Sequence, residues 1–220
     1  MKRYAPSYLL SQKKTIITAH SGCESTPPNS TEHILAAIAS GAEMIEADVR
    51  QHGDLLYLSH DLPENPAACV TLRELFALIA PEAPMEMNLD VKTEGLIPAV
   101  MALAKEYGLS NRIVFTGACN QDRALANSLG AEMWRSMWDG DDVPDGIQAN
   151  RQDKSPFLNI HYPMITPEYL RDLRAIGSDF SAWTVDNETD LRRMLMMGIA
   201  NITTRKPVLA LALRKEIQDL

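Results

Sequence analysis

Short apolar or alternating runs, each followed by a longer stretch with helical spacing, recur along this chain. That rhythm predicts parallel strands joined by helices. The expected strands are Thr15–Ala19, Met44–Arg50, Met85–Lys92, Ile113–Gly117, Glu132–Met137, Leu158–His161, Phe180–Val185 and Asn201–Thr204. Helical spacing covers Glu32–Ser40, Leu72–Ile79, Ile97–Tyr107, Gln121–Ser128, Pro167–Ile176, Glu188–Met197 and Val208–Gln218. Glycines such as Gly41 and Gly198 stand where a left-handed cap ends a helix and releases the chain into a strand. Eight strands of this kind predict an α/β protein built as a single (β/α)8 TIM barrel, with a doubly wound open sheet as the alternative.

Two segments depart from the rhythm. After Arg50 the Gly53–Asp54 pair predicts a turn, and Leu55–Ser59 reads as a further extended run. A small hairpin-like excursion after the second strand is therefore expected, returning His60 and Asp61 to the strand just left. Trp138–Pro156 is rich in Asp, Gly, Asn and Pro and is expected to be a loop with at most a short helix.

With 220 residues and 45% hydrophobic content, the chain is long enough for one barrel domain spanning residues 1–220. A net charge of −8 argues against nucleic acid as a partner, since phosphate-backbone affinity needs clustered Lys and Arg. Cys23, Cys69 and Cys119 are odd in number and lack zinc-site spacing, so reduced thiols are expected. Behind Lys2 and Arg3 the first residues lack the apolar core of a signal peptide, and no run approaches the ~20 apolar residues that cross a bilayer. A cytoplasmic protein without stable membrane insertion is the resulting expectation.

Candidate chemistry lies on the polar faces of the strands. Alternate strand residues share a face, so Glu46 and Asp48 point one way while Ile45, Ala47 and Val49 point the other. Glu86, Asn88, Asp90 and Lys92 repeat the pattern on the next strand. Burying such acids together is costly unless a cation accompanies them, and a hard divalent ion, Mg2+ or Ca2+, suits carboxylate oxygens. Active sites of (β/α)8 barrels sit at the C-terminal ends of the strands, which favours Asp90 and Lys92 as chemical residues and places Glu86 deeper. His20 and His60 fall at comparable positions and suit general acid–base work near neutral pH. Each feature has an ordinary alternative: a solvated strand face for Glu46 and Asp48, an internal ion pair for Asp90 and Lys92. Their joint occurrence favours an active site. His33 and His52 are expected to be exposed, and Met194, Met196 and Met197 to pack in the core.

The order His20-x-Gly22, Pro28-Asn29-Ser30, Glu46-x-Asp48-Val49, Gly53-Asp54, His60-Asp61 and Asp90-x-Lys92 resembles the glycerophosphodiester phosphodiesterase family. Trp183-Thr184-Val185, Gly198 and Ile202-Thr203-Thr204 resemble that family's closing strands, so the likeness runs over nearly the whole chain. The resemblance implies one bound divalent cation and hydrolysis of a small phosphodiester to glycerol phosphate and an alcohol. It also implies Glu46, Asp48 and Asp90 as metal ligands, His20 and His60 as the acid–base pair, and Lys92 stabilising the phosphoryl oxygens. Ser21 and Asn29 are expected substrate-binding residues, and Trp183, on an alternating strand, is expected to wall the substrate alcohol, with ordinary barrel packing as its alternative. Three positions depart from the family pattern: Ser21 replaces an arginine, Pro28 a glutamate, and Asp90 stands where a longer glutamate is common. A noncatalytic barrel that binds a glycerophospho-ligand or a partner protein is the competing expectation.

Overall fold

A computed structural model of the chain describes residues 14–81, 85–117 and 120–218. Cys119 and the leader reading at Lys2 and Arg3 lie outside the described residues. The strands are β1 (Ile16–Ala19), β2 (Met44–His52), β3 (Leu55–Leu58), β4 (Glu86–Val91), β5 (Ile113–Gly117), β6 (Glu132–Met133), β7 (Arg135–Met137), β8 (Phe157–His161), β9 (Asp179–Trp183) and β10 (Asn201–Thr204). Their order around the sheet is β6-β5-β4-β2-β1-β10-β9-β8-β7, and every neighbouring pair on this path is parallel.

The expected strand Glu132–Met137 is two strands. β6 pairs with β5 and β7 pairs with β8, while Trp134 between them donates its N–H to the Phe115 carbonyl at 2.8 Å. One stave thus changes partner midway and brings the two ends of the sheet together as a nearly closed parallel barrel. The open doubly wound alternative is excluded. β3 runs antiparallel to β2, with Val49 opposite Leu58 and His52 opposite Leu55, so the hairpin excursion is present.

Helices pack outside the strands because the outward strand faces are apolar. Ile45, Ala47, Val49, Met87, Leu89 and Val91 are buried against Leu72, Leu75, Phe76, Ile97 and Val100, which recur at helical spacing. Burial of each larger side chain in such a layer contributes roughly 1.5–3 kcal/mol. On the other half, Leu158, Ile160, Phe180 and Ala182 pack against Leu170, Leu173, Leu191 and Leu195. Of the methionine tract, Met194 is in this layer, but Met196 is 76% exposed and Met197 only packs at the edge, which corrects the expectation for Met196.

The Trp138–Pro156 segment is also corrected: it holds an eleven-residue helix, Val143–Asp153. Asp142 caps it by accepting from the Asp145 N–H at 2.9 Å, and Pro144 occupies the first turn, where a missing N–H costs nothing. Its polar composition hid it, since only Val143, Gly146 and Asn150 are buried.

Inside, the barrel is mostly polar above an apolar plug. Met44, Val114, Trp134 and Phe157 form the plug near the strand N-termini, with Trp134 and Phe157 edge to face at 4.5 Å. Above it a belt of hydrogen bonds runs from strand to strand: Thr18 to Asn201 (2.8 Å), Asn201 to Ser181 (2.9 Å), Ser181 to Asn159 (2.8 Å) and Asn159 to Ser136 (3.3 Å). Thr116 donates to Asn88 at 2.9 Å in the same belt. Buried polar groups survive here because they satisfy one another. Among the described residues, no helix is long and apolar enough to cross a membrane.

Candidate active site

Above the belt, a cavity of about 250 Å³ opens at the C-terminal ends of the strands. Its walls include His20, Glu46, Asp48, His60, Asp90, Lys92 and Trp183, so most of the sequence-derived candidates meet there. The in-register pairing of β2 with β4 explains the meeting. Glu46 lies opposite Asn88 and Asp48 opposite Asp90, so the inward faces of both strands aim their acids at one point. Carboxylate oxygens of Glu46, Asp48 and Asp90 all lie within 4.8 Å of one another. Glu86 is buried but is not among the residues of the cavity wall.

Each acid has its own support. Glu46 Oε2 accepts from the Ser21 backbone N–H at 2.8 Å, and His20 Nε2 stands 3.8 Å from the same oxygen. Asp48 exchanges two bonds with Asn29: the Asn29 amide donates to Oδ2 at 2.8 Å, and Asn29 Oδ1 accepts from the Asp48 N–H at 3.0 Å. Asn29 makes this pair from a left-handed backbone conformation (φ 55), which asparagine tolerates better than most residues. Lys92 Nζ bridges Asp48 Oδ1 and Asp90 Oδ2, both at 2.9 Å.

Asp90 Oδ1 is buried without a hydrogen-bond partner among the described residues. Its position depends on Gly117, since a Cβ there would fall within 2.4 Å of that oxygen and 2.3 Å of the Val91 carbonyl. Gly117 also has φ +121, which few other residues adopt.

The electrostatics follow from crowding three acids into a buried space. Burial, reinforced by Asp48 and Asp90, pushes the Glu46 carboxyl well above the usual carboxylate range. Burial also raises Asp90, against the opposing pull of Lys92. Burial would raise Asp48 as well, but Lys92 and the Asn29 hydrogen bond outweigh it and hold Asp48 below its ordinary value. Lys92, although desolvated, is held firmly protonated by Asp90 and Asp48.

Burial lowers the pKa of His20, so its imidazole is neutral near pH 7. Nδ1 lies 2.8 Å from the Ser21 carbonyl, which can only accept; Nδ1 therefore carries the proton and Nε2 the lone pair. The hairpin delivers His60 to the rim. Arg50 clamps its carbonyl through Nε (3.1 Å) and Nη2 (2.6 Å), and Asp61 Oδ1 lies 2.9 Å from its Nδ1.

Ser21 and Asn29 stand behind the carboxylates rather than on the cavity wall. Ser21 Oγ accepts from the Asn29 N–H at 3.2 Å, so the two brace each other as well as Glu46 and Asp48. Trp183 is on the wall, tilted against His161 at 5.4 Å and edge to face with Trp138 at 6.4 Å. His161 Nδ1 is 2.5 Å from Asp139 Oδ1. His33 is fully buried and not exposed as expected; it lies on the inner face of the helix Thr31–Ser40. His52 is exposed.

Sequence reasoning missed Arg205, Thr203, Thr116 and Ser136, all on the cavity wall. Their signal was position alone: Arg205 follows the last expected strand, where barrel active sites lie.

No family model matches the chain. It is 21% identical, over 92% of its length and 74% of the relative's, to a glycerophosphodiester phosphodiesterase of Arabidopsis thaliana, GDPD4. Its fold is similar to that of a putative glycerophosphoryl diester phosphodiesterase from Agrobacterium tumefaciens, with a TM-score of 0.81, 17% identity, and coverage of 92% of this chain and 98% of the other. It is similarly close to an Oleispira antarctica phosphodiesterase solved with the product sn-glycerol-3-phosphate, with a TM-score of 0.76, 19% identity, and coverage of 93% and 98%. The chain thus resembles a glycerophosphodiester phosphodiesterase in sequence and shares the barrel fold of these structures.

Proposed function

We propose that the chain is a phosphoric diester hydrolase that cleaves a glycerophosphodiester to glycerol phosphate and an alcohol, using one divalent cation and two histidines. The observation that carries the reading is the convergence of Glu46, Asp48 and Asp90 beside His20 and Lys92 at one end of the barrel. The relatives named as phosphodiesterases, one of them holding glycerol phosphate, support the substrate class.

The acids suit a hard cation. They offer only oxygen ligands, Asp90 Oδ1 lacks a partner, and burial destabilises the ionised forms of Glu46 and Asp90 in the absence of one. A bound Mg2+ or Ca2+ would neutralise the cluster and polarise the phosphoryl oxygens as a Lewis acid.

Residues of the chain supply the remaining functions. His20, neutral with its lone pair on Nε2, is placed to accept a proton from water or from a neighbouring substrate hydroxyl. His60 at the rim, oriented by Asp61, donates a proton to the leaving alkoxide. Lys92 contributes fixed positive charge near the phosphoryl oxygens. Ser21 and Asn29 hold Glu46 and Asp48 in place, and Trp183 forms a flat wall for the alcohol moiety. Free thiols at Cys23 and Cys69 fit a reducing, cytoplasmic setting.

Hydrolysis of glycerophosphocholine and bis(p-nitrophenyl) phosphate, measured with EDTA and after adding back Mg2+ or Ca2+, tests the reading. The expected result is turnover that EDTA abolishes, the cation restores and His20→Ala reduces by about 100-fold or more. Absence of cation-dependent turnover with every phosphodiester tried would overturn it. Ligand binding without turnover would favour a noncatalytic barrel.

A further inference from the structure

A phosphate in this cavity meets a predominantly acidic wall. Lys92, its most buried cation, is already bound on two sides by Asp48 and Asp90 at 2.9 Å each, and residue 21 supplies no charge. Arg205 also lines the cavity, on the side of His20. Its positive charge is close enough to His20 to contribute to the lowering of that imidazole's pKa, behind the larger effect of burial.

The backbone around Arg205 is held by the residues that carry His20. His20 N–H donates to the Thr204 carbonyl at 2.9 Å, and Glu24 N–H donates to the Arg205 carbonyl at 2.9 Å. Asp186 braces the residue further: its Oδ1 accepts from the Arg205 backbone N–H at 2.7 Å and its Oδ2 from Nη1 at 2.7 Å. Among the described residues, Nε and Nη2 have no partner, which leaves part of the guanidinium fork free to donate. The pair is partly solvated, with side-chain exposures of 47% for Arg205 and 34% for Asp186. An ion pair so exposed contributes little stability, and a phosphate oxygen can share or replace the Asp186 contact at small cost.

From this arrangement we propose that Arg205 is the phosphate-binding arginine of the site, donating from its guanidinium to a non-bridging oxygen of the phosphodiester and of the phosphate monoester product. Asp186 then acts as a positioning residue that turns the guanidinium toward His20. The assignment rests on the phosphodiesterase reading above. A planar guanidinium suits it, because a phosphate presents two oxygens at the spacing of the fork.

The test compares the Mg2+-loaded wild type with Arg205→Gln, Arg205→Lys and, as a remote surface control, Arg171→Gln. Three quantities are read: calorimetric affinity for glycerol 3-phosphate, and kcat and KM for bis(p-nitrophenyl) phosphate. Arg205→Gln is expected to weaken product binding by about 10- to 100-fold, as loss of a charged hydrogen bond predicts. Arg205→Lys should recover part of the loss, and Arg171→Gln should match wild type. In wild type, glycerol 3-phosphate should also protect Arg205 from phenylglyoxal modification, read by mass spectrometry. This measurement stands even if Arg205→Gln does not fold.

Wild-type affinity and KM in a folded Arg205→Gln, or modification of Arg205 at an undiminished rate under saturating glycerol 3-phosphate, would overturn the assignment while leaving phosphodiester hydrolysis intact. A wild type that neither binds glycerol 3-phosphate nor hydrolyses any phosphodiester would remove both.

Discussion

His33 lies fully buried beneath the loop that carries His20, and neither of its ring nitrogens has a hydrogen-bond partner among the described residues. Burial pushes its pKa down to about 4. The unfolded chain would titrate this imidazole near 6.5. Between those values the unfolded state holds more protons than the native state, so stability rises with pH through the interval. The contribution of His33 is therefore complete above about pH 6.5 and is lost as the pH falls through 4. From pH 7 to pH 5 the loss amounts to roughly 2 kcal/mol. Urea unfolding at both pH values should show it as a difference in slope between wild type and His33→Leu. Parallel pH dependences for the two proteins would refute the account. From sequence His33 looked like a solvated helix position, because one polar residue does not reveal which way a helix faces.

At the scale of elements, the helix Val143–Asp153 shows what pattern reading misses. It has few apolar positions and stands on its cap: Asp142 at the N-terminus, Pro144 in the first turn and Lys154 closing it in a left-handed conformation (φ 52). Asp142→Ala should lower stability by about 1 kcal/mol, with extremes near 0.5 and 2, through loss of the side-chain bond to the Asp145 N–H. A thermal melt reads the loss, and phosphodiester turnover at room temperature should be unchanged because Asp142 is not on the cavity wall. An unaltered melting temperature would show that tertiary packing, rather than the cap, holds the helix. The helix Leu72–Ile79 was legible by contrast, since Thr71 and Glu74 form a reciprocal capping box and Leu72, Leu75, Phe76 and Ile79 line one buried face.

At the scale of the molecule, the last helix fastens the barrel shut. Arg214 donates to the Thr15 carbonyl at 2.6 Å and to both oxygens of Glu43, at 2.9 and 2.7 Å, while Glu43 also accepts from the Ile17 N–H at 3.0 Å. Gln218 adds bonds to the Thr15 backbone and hydroxyl, at 3.0 and 2.8 Å. The helix Pro207–Gln218 thus anchors the residues at the start of β1, the strand that leads to His20. Arg214→Leu removes the guanidinium donor from the Thr15 carbonyl and leaves Glu43 with the Ile17 N–H. Because Glu43 is half-exposed and can regain water, the cost should be about 2 kcal/mol rather than the larger loss of a fully buried pair. Urea titration should show a lower midpoint with an unchanged m-value, and an unchanged midpoint would contradict this role.

The acidic pair on β2 and the Asp90-x-Lys92 pair at the end of β4 were legible from sequence because period-two alternation assigns each residue to a face whatever the rest of the chain does, and the two histidines because each directly follows an extended run. The alternation of strand with helix likewise predicted the barrel. The metal-and-histidine reading of the site took its detail from family resemblance. Other features depend on contacts between residues far apart in sequence, which no local period encodes. These are the change of partner at Trp134, the polar belt through Thr18, Asn201 and Ser181, and the burial of His33. Only the folded barrel sets Ser21 and Asn29 behind the carboxylates, and only there does Arg205, nearly the length of the chain from His20, come to face the same cavity.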